Sequence, residues 1–326
     1  MVYNKYIGII GGTGTIGSII VKYLLQLQTH FHVLIGGRRS IKEISMSTFY
    51  NSERLKYNQM NYNNDVELDN FCSQCLLVIN AVGPSFKIND KIALHALRNN
   101  CHYIDIGGYG ILRDLLKPYE KSIEAQKLCF IIGVGWMPGI SGVFSKTIIE
   151  THLNSPENTN FNIYYGAVDN WSYSSTYDLA ASSMGKTCSY VYSHGKEIQV
   201  SPFRYTHHKF FPFIGHKKIC MPSFDEQLTQ LATSLKQIRK ISTFIMLNDY
   251  ISMGKFMFIK IFYKHNLNKA TLMLQDDYQR LVKKENKWGS VICQVSKIEP
   301  ERKIDTFYYL YTKNNLLYTA LPAVIT

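Results

Sequence analysis

A glycine-rich motif near the start of the chain constrains the fold more than any other feature. Gly12, Gly14 and Gly17 form a GxGxxG pattern that follows the apolar run Tyr6–Ile10 and opens a stretch with helical spacing, Ile16–Leu27. A strand, a glycine turn and a helix in this order are typical of the βαβ unit that holds the diphosphate of a dinucleotide. We therefore predict that the turn and the first helical residues contact such a diphosphate: Gly12, Thr13, Gly14, Thr15, Ile16 and Gly17.

Each glycine has an expected role in such a turn. Gly12 permits the tight bend, Gly14 lets the backbone approach the diphosphate, and Gly17 lets helix and strand pack closely. The N–H groups and the dipole of the helix then face the phosphates. Gly11 adds a second glycine spacing, which leaves the assignment of roles to individual glycines open. A plain tight turn is the alternative reading.

The end of the second predicted strand indicates which dinucleotide binds. NAD-binding proteins usually carry Asp or Glu here, bonded to the ribose hydroxyls, whereas this chain has Gly37, Arg38 and Arg39. A guanidinium group binds a 2′-phosphate through charge-assisted hydrogen bonds that a carboxylate could not make. We therefore predict NADP(H) as the cofactor. The alternative is that both arginines are solvated residues at the start of a helix.

The segment after the fourth predicted strand is the next part of the expected site. At this topological position, backbone groups usually line the ribose and nicotinamide side of the cofactor. The predicted contacts are Asn80, Ala81, Val82, Gly83 and Pro84. The side chain of Asn80 could bond either to its own turn or to the ligand.

The alternation of apolar runs and amphipathic stretches predicts the fold class. In the first half, strands are expected at Tyr6–Ile10, Phe31–Ile35, Leu55–Tyr62, Leu76–Ala81, Tyr103–Ile106 and Phe130–Val134. Helices are expected at Ile16–Leu27, near Ser40–Phe49, from Asn89 or Asp90 to Asn99, and within Leu112–Lys127 with a bend at Pro118. This order is typical of an α/β fold, a doubly wound parallel sheet of the Rossmann type.

The pattern changes after about residue 140. Strands are expected at Phe161–Val168, Lys209–Ile214, Ile238–Met246, Val291–Ile298 and Thr306–Tyr311, with a hairpin at Ser189–Val200. Helices are expected at Thr176–Met184, Phe224–Leu235 and Asn248–Phe258. We predict a Rossmann domain at 1–139 and a second α+β domain with a mixed sheet at 140–326, whose C-terminal residues can pack back on the first.

Composition narrows the functional classes. The net charge of +12 is diffuse, which favours small anionic ligands, and no nucleic-acid motif accompanies it. No apolar run is long enough to span a membrane, the first residues do not resemble a signal peptide, and the seven cysteines are irregularly spaced. We therefore expect a cytoplasmic protein with a small-molecule substrate and no nucleic-acid partner, membrane span or metal.

Several stretches, in this order, resemble the saccharopine dehydrogenase-like family. They are Gly11–Gly17, Gly36–Arg38, Val78–Phe86, His102–Gly108 and Gly133–Ser141, with thinner matches at Tyr164–Gly185 and Tyr318–Ala320. The resemblance implies hydride transfer at a carbon–nitrogen bond, a second domain that carries the substrate cleft, and a homodimer. Members also include enoyl reductases, so the substrate does not follow. Relatives often continue with a last helix, so we expect this chain to be short.

Candidate catalytic residues come from the ends of predicted elements. Asp105 ends the fifth strand beside the expected nicotinamide, where it could contact cofactor, bind a substrate amine or handle a proton. Its alternative role is that of a loop carboxylate that accepts backbone N–H bonds. Trp136 and Pro138 follow the sixth strand and could wall the nicotinamide or simply connect the domains.

The segment Asp169–Gly185 is the best candidate for a substrate loop. Ser175 to Asp178 reads as a capping box before an apolar helix, and Tyr177 offers a phenol as a catalytic donor. A capped core helix is the alternative. Tyr192 and Lys196 match the Tyr-x-x-x-Lys of short-chain dehydrogenases, but Gly195 indicates a hairpin turn instead. An NADP-binding sensor or scaffold without turnover is the alternative to an enzyme.

Overall fold

The first part of the chain folds as the sequence predicts, into alternating strands and helices. The computed structural model describes residues 5–27, 30–40, 52–153, 155–184, 190–263 and 265–326. The predicted helix at 40–49 falls almost wholly outside these residues. The elements are β1 (Tyr6–Ile10), α1 (Thr15–Gln26), β2 (Val33–Gly37), β3 (Leu55–Gln59), α2 (Asp65–Cys72), β4 (Cys75–Asn80), α3 (Ser85–Ile88), α4 (Lys91–Arg98), β5 (His102–Asp105), α5 (Gly110–Leu116), α6 (Glu120–Ala125) and β6 (Phe130–Ile132).

The described strands β1 to β6 form one parallel sheet in the order β3-β2-β1-β4-β5-β6. This order is that of a Rossmann fold, and it confirms the predicted doubly wound sheet. The chain direction along the sheet reverses between β1 and β4, so the loops that follow these two strands diverge there. Ligands of such sheets bind at this switch point, beyond the carboxyl ends of the strands.

Both faces of this sheet are buried, which explains why its strands read as continuous apolar runs. Ile10 and Val78 lie in a core cluster on one face, together with residues of α2, α4 and α5. Ile9 and Ile79 lie in a second cluster on the other face, together with residues of α1. Since neighbouring residues of a strand point to opposite faces, each apolar run supplies both cores.

The remainder of the chain alternates less regularly. Its elements are α7 (Ile140–His152), β7 (Thr159–Val168), α8 (Tyr173–Met184), β8 (Tyr190–Ser193), β9 (Lys196–Gln199), α9 (Pro202–Tyr205), β10 (His207–Phe211), β11 (His216–Pro222), α10 (Glu226–Ser234), β12 (Lys240–Leu247), α11 (Tyr250–Phe262), α12 (Leu267–Val282), β13 (Trp288–Ile298), β14 (Lys303–Thr312), α13 (Asn315–Ala320) and α14 (Pro322–Ile325). The strands β10-β11-β12-β7-β13-β14 form a mixed sheet, with β8 and β9 off this path. Only β12 and β7 run parallel among its described neighbours, which confirms the predicted mixed sheet.

Contacts divide the chain into two compact units. The first unit comprises Met1–Ile140 and Leu316–Thr326, and the second comprises Ser141–Asn315. Ala320 and Ala323 join the core cluster beneath α1, so the last helices pack on the Rossmann unit. In the part of the chain that the structure describes, no helix is both long and apolar enough to cross a membrane.

Several elements differ from the predictions. The helices α2, α7 and α12 and the strand β11 were not predicted, and neither were the shorter helices α3, α9, α13 and α14. The predicted bend at Pro118 is confirmed, because a 3-10 turn over Lys117–Tyr119 separates α5 from α6. The predicted hairpin is also confirmed, with β8 and β9 paired antiparallel on either side of His194 and Gly195. Tyr192 and Lys196 therefore lie on two strands rather than on one helix face.

Candidate dinucleotide site

Three predicted segments meet at the carboxyl edge of the first sheet. In the strand registers, Ile10 of β1 pairs with Gly36 on one side and with Asn80 on the other. Gly11 N donates to the Gly36 carbonyl at 2.9 Å, and Ala81 N donates to the Ile10 carbonyl at 2.9 Å. Three segments therefore begin at the same level of the sheet: the glycine turn (Gly11–Gly14), the arginine loop (Arg38 and Arg39) after β2, and the loop after β4 (Ala81–Pro84).

The tight bend is made at Gly11 rather than at Gly12. Gly11 has φ of 83°, in the left-handed region where a side chain is strained. A Cβ on Gly12 would lie 2.8 Å from Cγ2 of Ile35, so this glycine serves close packing against β2. A Cβ on Gly17 would lie 2.2 Å from the Gly11 carbonyl oxygen, which fits its predicted packing role. Gly11 thus takes the role that was expected of Gly12.

The helix α1 begins without a side-chain cap. Gly14 is its N-cap residue, and no acidic residue lies in the first turn. The first N–H groups of a helix have no partner within the helix and carry the positive end of its dipole. The exposed Gly14 and Thr15 leave this end open. An uncapped, uncharged helix start behind a glycine turn fits the diphosphate of a dinucleotide.

The arginine loop is held by the strand next to it. The Tyr57 hydroxyl donates to the Gly37 carbonyl at 3.0 Å, and Gln59 Nε2 donates to the Arg38 carbonyl at 3.3 Å. Arg39 Nη2 donates to the Thr13 carbonyl at 3.0 Å, which ties the tip of β2 to the glycine turn. Sequence reasoning missed Tyr57 and Gln59, although both lie on a predicted strand that runs beside β2.

The two arginines, Arg38 and Arg39, therefore differ in their hydrogen bonding. Both side chains are exposed, yet Arg39 is bonded within the loop. Among the described residues, the Arg38 guanidinium makes no hydrogen bond or ion pair. The two arginines lie in a bend after β2, and the alternative of a helix start after them falls on residues 41–51, which lie outside the described residues. Arg38 is the better placed of the two to bind a phosphate.

Asp105 is the centre of a closed hydrogen-bond network. Its side chain is buried, with 2% exposed. One carboxylate oxygen accepts from the Tyr103 hydroxyl at 2.6 Å and from Asn80 Nδ2 at 2.8 Å. The other accepts from the N–H groups of Gly107 at 2.9 Å and Gly108 at 2.6 Å. A carboxylate has about four acceptor positions. This network favours the loop-carboxylate alternative over proton handling.

The same network orders the loop after β4. Asn80 Oδ1 accepts from Val82 N at 3.0 Å, so its side chain bonds to its own turn and to Asp105. A Cβ on Gly11 would lie 2.9 Å from Cγ2 of Val82, which shows how closely this loop approaches the glycine turn. Burial raises the pKa of the Tyr103 hydroxyl, and the neighbouring Asp105 charge raises it further, so Tyr103 stays a hydrogen-bond donor. Ala81, Gly83 and Pro84 continue the loop at half-buried positions.

The segment after β6 makes a compact turn at the same edge. Val134 N donates to the Asp105 carbonyl at 3.0 Å, and Gly135 N donates to the Pro138 carbonyl at 3.0 Å. Trp136 is half-buried, and its ring meets the ring of Tyr318 edge-on at 5.5 Å. The structure thus brings the predicted cofactor residues of the first unit to one edge of one sheet.

Tyr177 lies in the second unit, on α8, and is buried. The predicted capping box is displaced: α8 begins at Tyr173, and Ser172 Oγ accepts from Ser175 N at 3.2 Å. The helix starts one turn earlier than predicted because Ser172, not Ser175, supplies the capping oxygen. The Trp171 ring stacks on the Tyr278 ring at 4.7 Å. These contacts favour the core-helix alternative for this segment.

The described cysteines and histidines outside this edge make structural contacts. Cys72 and Cys75 are buried free thiols, and burial raises the pKa of both well above the ordinary range. The ring of His207 packs against Tyr164, whereas His208 bonds to the Tyr250 hydroxyl. Within the described residues, no cluster of His, Cys, Asp or Glu could hold a metal ion.

The first unit also contains an apolar cavity of about 210 Å³. Its lining includes Ile7, Val33 and Leu77, which lie at or near the starts of their strands. No titratable side chain lines it, so it offers no side chain for proton transfer.

Comparison with known proteins gives one family match and several structural matches. Residues 7–129 match the family model described as the saccharopine dehydrogenase NADP binding domain. No curated protein sequence matches the chain. Among solved structures, apo saccharopine dehydrogenase (L-Glu forming) from Saccharomyces cerevisiae is similar, with 14% identity and a TM-score of 0.64 over 98% of this chain and 90% of that chain.

Two further solved structures show weaker similarity. DAP dehydrogenase from C. glutamicum in complex with DAP has 10% identity and a TM-score of 0.48, over 98% of this chain and 86% of that chain. Dipicolinate-bound dihydrodipicolinate reductase from Paenisporosarcina sp. TG-14 has 12% identity and a TM-score of 0.42, over 96% and 90%. At such low identities, similarity extends to the fold.

Proposed function

Since this chain is an NADP(H)-dependent oxidoreductase with an N-terminal domain of the saccharopine dehydrogenase-like NADP-binding family, we propose that it transfers hydride to a carbon–nitrogen double bond, or to a related carbonyl or enoyl group, of a small anionic metabolite. The observation that carries the proposal is the joined glycine turn and arginine loop at the carboxyl edge of the sheet. This edge supplies an open helix start and an unpaired guanidinium within the described structure.

In this proposal each part of the edge binds one part of the cofactor. The N–H groups at the start of α1 bind the diphosphate, and Gly14 allows its close approach. Arg38 binds the 2′-phosphate, while Arg39 keeps the arginine loop against Thr13. The loop Ala81–Pro84, with Trp136 and Pro138, lines the ribose and nicotinamide side. Of these glycines, Gly14 is exposed at the start of α1, where the lack of a side chain leaves the N–H groups open to such a ligand.

The reaction needs position and exclusion of water more than strong acid–base groups. Bound NADPH supplies the hydride, and the chain holds the acceptor carbon close to it. Asp105 positions the loops after β4 and β5 through its four hydrogen bonds. We assign it this positioning role rather than that of a proton donor. The role of Tyr177 as a donor from the second unit stays a prediction.

The net positive charge of the chain supports an anionic substrate. The chain carries 36 Lys and Arg against 24 Asp and Glu, which favours anionic small molecules over cationic ones. Saccharopine dehydrogenase, similar in fold, acts in the chemistry of amino acids, and we extend this class to the present chain. A homodimer and a cytoplasmic setting belong to the same proposal, and the cysteines described as free thiols agree with a reducing compartment.

The experiment that tests the cofactor assignment compares two neighbouring arginines. Arg38→Ala should weaken NADPH binding by between about tenfold and about a hundredfold, because charge-assisted hydrogen bonds contribute roughly 1.5–3 kcal/mol, and should leave NADH binding unchanged. Arg39→Ala should weaken the binding of both NADPH and NADH, since it removes the hydrogen bond from Arg39 to the Thr13 carbonyl. Dissociation constants can be measured by fluorescence titration.

Equal losses of NADPH and NADH affinity in Arg38→Ala would refute its role at the 2′-phosphate. The reaction class is tested by NADPH consumption against a panel of imines, keto acids and enoyl compounds. Consumption with imines formed from amino acids supports the proposal. Stoichiometric NADPH binding without consumption across the whole panel would favour a sensor or scaffold.

A further inference from the structure

The second sheet curls until its two end strands approach each other. The strands β10 and β14 stand at opposite ends of the strand order. Phe213, which follows β10, nonetheless stacks on Tyr309 of β14, with ring centroids 4.2 Å apart. The described registers pair β10 with β11 alone and β14 with β13 alone, so a gap remains between β10 and β14. We call this gap the seam. Mouths of barrel-like sheets are common places for ligand sites.

A polar cluster lies on the inner face of the sheet, behind the seam. Lys209 of β10 donates to Gln294 Oε1 at 2.6 Å and to the Tyr164 hydroxyl at 3.4 Å. Phe307 of β14 lies opposite Gln294, and Lys209 Nζ is 4.9 Å from its ring centroid. Tyr164 and Gln294 are buried, whereas Phe307 is 43% exposed. These four residues, the Lys209 cluster, therefore join the interior of the sheet to the surface.

The Lys209 ammonium has no carboxylate partner among the described residues. Lys218, directly opposite on β11, is paired with Glu285, with Nζ to Oε2 at 3.2 Å. Asp305 of β14 is paired with Lys303, with Nζ to Oδ1 at 3.1 Å. One positive charge on this inner face is therefore left without a counter-ion in the described structure.

This uncompensated charge indicates a ligand. Proteins usually pair a charge that is removed from water, because an isolated one is costly. An ammonium has three N–H donors, and the amide of Gln294 and the phenol of Tyr164 accept two of them. Burial lowers the pKa of Lys209 by more than the charge of Asp305 raises it, so an added anion would stabilise the ammonium form. The third donor fits one oxygen of an anion.

We propose that the Lys209 cluster binds a small monocarboxylate that enters through the seam. One carboxylate oxygen accepts from Lys209, and the apolar body of the ligand packs on the ring of Phe307. A single uncompensated charge calls for a monoanion, and the charge of Asp305, which acts on Lys209, repels a dianion such as phosphate more strongly. The cluster lies wholly within the second unit, so the proposal does not depend on the proposed reaction.

The first test is acetylation of the unaltered, full-length protein, with benzoate as the probe and mass spectrometry as the readout. If benzoate binds with a dissociation constant of about 1 mM, about 10 mM benzoate should slow the acetylation of Lys209 about tenfold. Lys297, an exposed lysine of β13 paired with Glu299, is the internal control and should react at an unchanged rate. Benzyl alcohol, which has the ring without the charge, should protect neither lysine. Inorganic phosphate should protect neither as well.

The second test is Lys209→Met, which removes the charge and keeps the length of the side chain. In calorimetric titrations this variant should bind benzoate at least about tenfold more weakly, and Lys297→Met should bind it like the unaltered protein. Lys209→Met should unfold at the same urea concentration as the unaltered protein or at a higher one, because an uncompensated charge leaves the interior.

Three results would overturn the proposal. The first is a less stable Lys209→Met with unchanged benzoate affinity, which would make Lys209 a structural residue. The second is protection of Lys209 by benzyl alcohol or phosphate as strong as that by benzoate. The third is a folded, unaltered protein that binds no benzoate. Neither test uses NADPH, so their outcome is independent of the proposed function.

Discussion

Replacement of Asp105 by Asn separates the two roles considered for this residue. In the folded chain the carboxylate accepts hydrogen bonds from the Tyr103 hydroxyl, Asn80 Nδ2 and the N–H groups of Gly107 and Gly108. An amide keeps one acceptor oxygen and replaces the other with a donor. Whichever way the amide turns, its NH2 group faces two hydrogen-bond donors. The variant therefore keeps the size of the side chain and loses part of the network.

The magnitude follows from these four bonds. If the NH2 group faces Gly107 and Gly108, two backbone donors lose their acceptor and cannot rotate away. If it faces Asn80 and Tyr103, the phenol can turn to accept and one donor is lost. Each bond to a charged group contributes about 1.5–3 kcal/mol, and the neutral amide is less costly to bury. We expect a net destabilisation of about 2–4 kcal/mol, a large part of the ~5–15 kcal/mol that stabilises a typical protein.

The assay is urea unfolding of Asp105→Asn beside Asp114→Asn. Asp114 is an exposed carboxylate of α5 that pairs only with the neighbouring Arg113 in the described structure, so its variant should unfold like the unaltered protein. We expect Asp105→Asn to unfold at lower urea and to bind NADPH more weakly, because the loops after β4 and β5 lose their anchor. Unchanged stability together with a hundredfold or greater loss of turnover would show that Asp105 acts on the substrate and would refute the positioning role.

Three further outcomes test other parts of the structure. Gly17→Ala should abolish NADPH binding in titrations, because a Cβ there would lie 2.2 Å from a carbonyl oxygen of the glycine turn; retained affinity would refute the turn geometry. Burial alone would raise the pKa of Asp249, but hydrogen bonds from Arg280 and the start of α11 lower it to about 2. The stability difference between the unaltered protein and Asp249→Asn should thus be full above about pH 4 and shrink as the pH falls towards 2; a difference that persists at pH 2 would contradict this. At pH 8, iodoacetamide should label the exposed Cys129 and spare Cys101, whose burial raises its pKa to about 11; mass spectrometry of native and urea-treated protein checks both.

The first sheet could be predicted from the sequence because its strands are buried on both faces. Each strand is then a continuous apolar run, and glycines or polar residues mark its ends. The helix α2 was missed although Asn64 caps it and Glu67 bonds back to Asn64, a signal that could have been found. The helix α12 buries Thr271 and Asp277 beside its apolar residues. Because of these polar residues, the apolar helical spacing is interrupted in the sequence.

The residues on the coenzyme side of the site were easier to predict from the sequence than those on the substrate side, for a physical reason. A diphosphate is bound by backbone N–H groups, so the sequence must supply glycines at fixed spacing, and such spacing is visible. The bend at Gly11 shows the limit of this reasoning, because the glycine motif can be placed on the sequence Gly11–Gly17 in two ways. The bracing by Tyr57 depends on which strand lies beside β2, which spacing alone does not reveal.

The closed network around Asp105 also bears on which double bond this site reduces. A carbonyl oxygen becomes strongly basic as hydride arrives and needs a nearby acid to protonate it. An imine nitrogen can carry its proton before hydride transfer, so its reduction makes less demand on the protein. In the first unit, Asp105 at the end of β5 has its acceptor positions occupied by four hydrogen-bond donors. With this carboxylate occupied, a carbon–nitrogen bond that is protonated in advance suits the proposed site better than a ketone, which is why we place imines first among the proposed substrates.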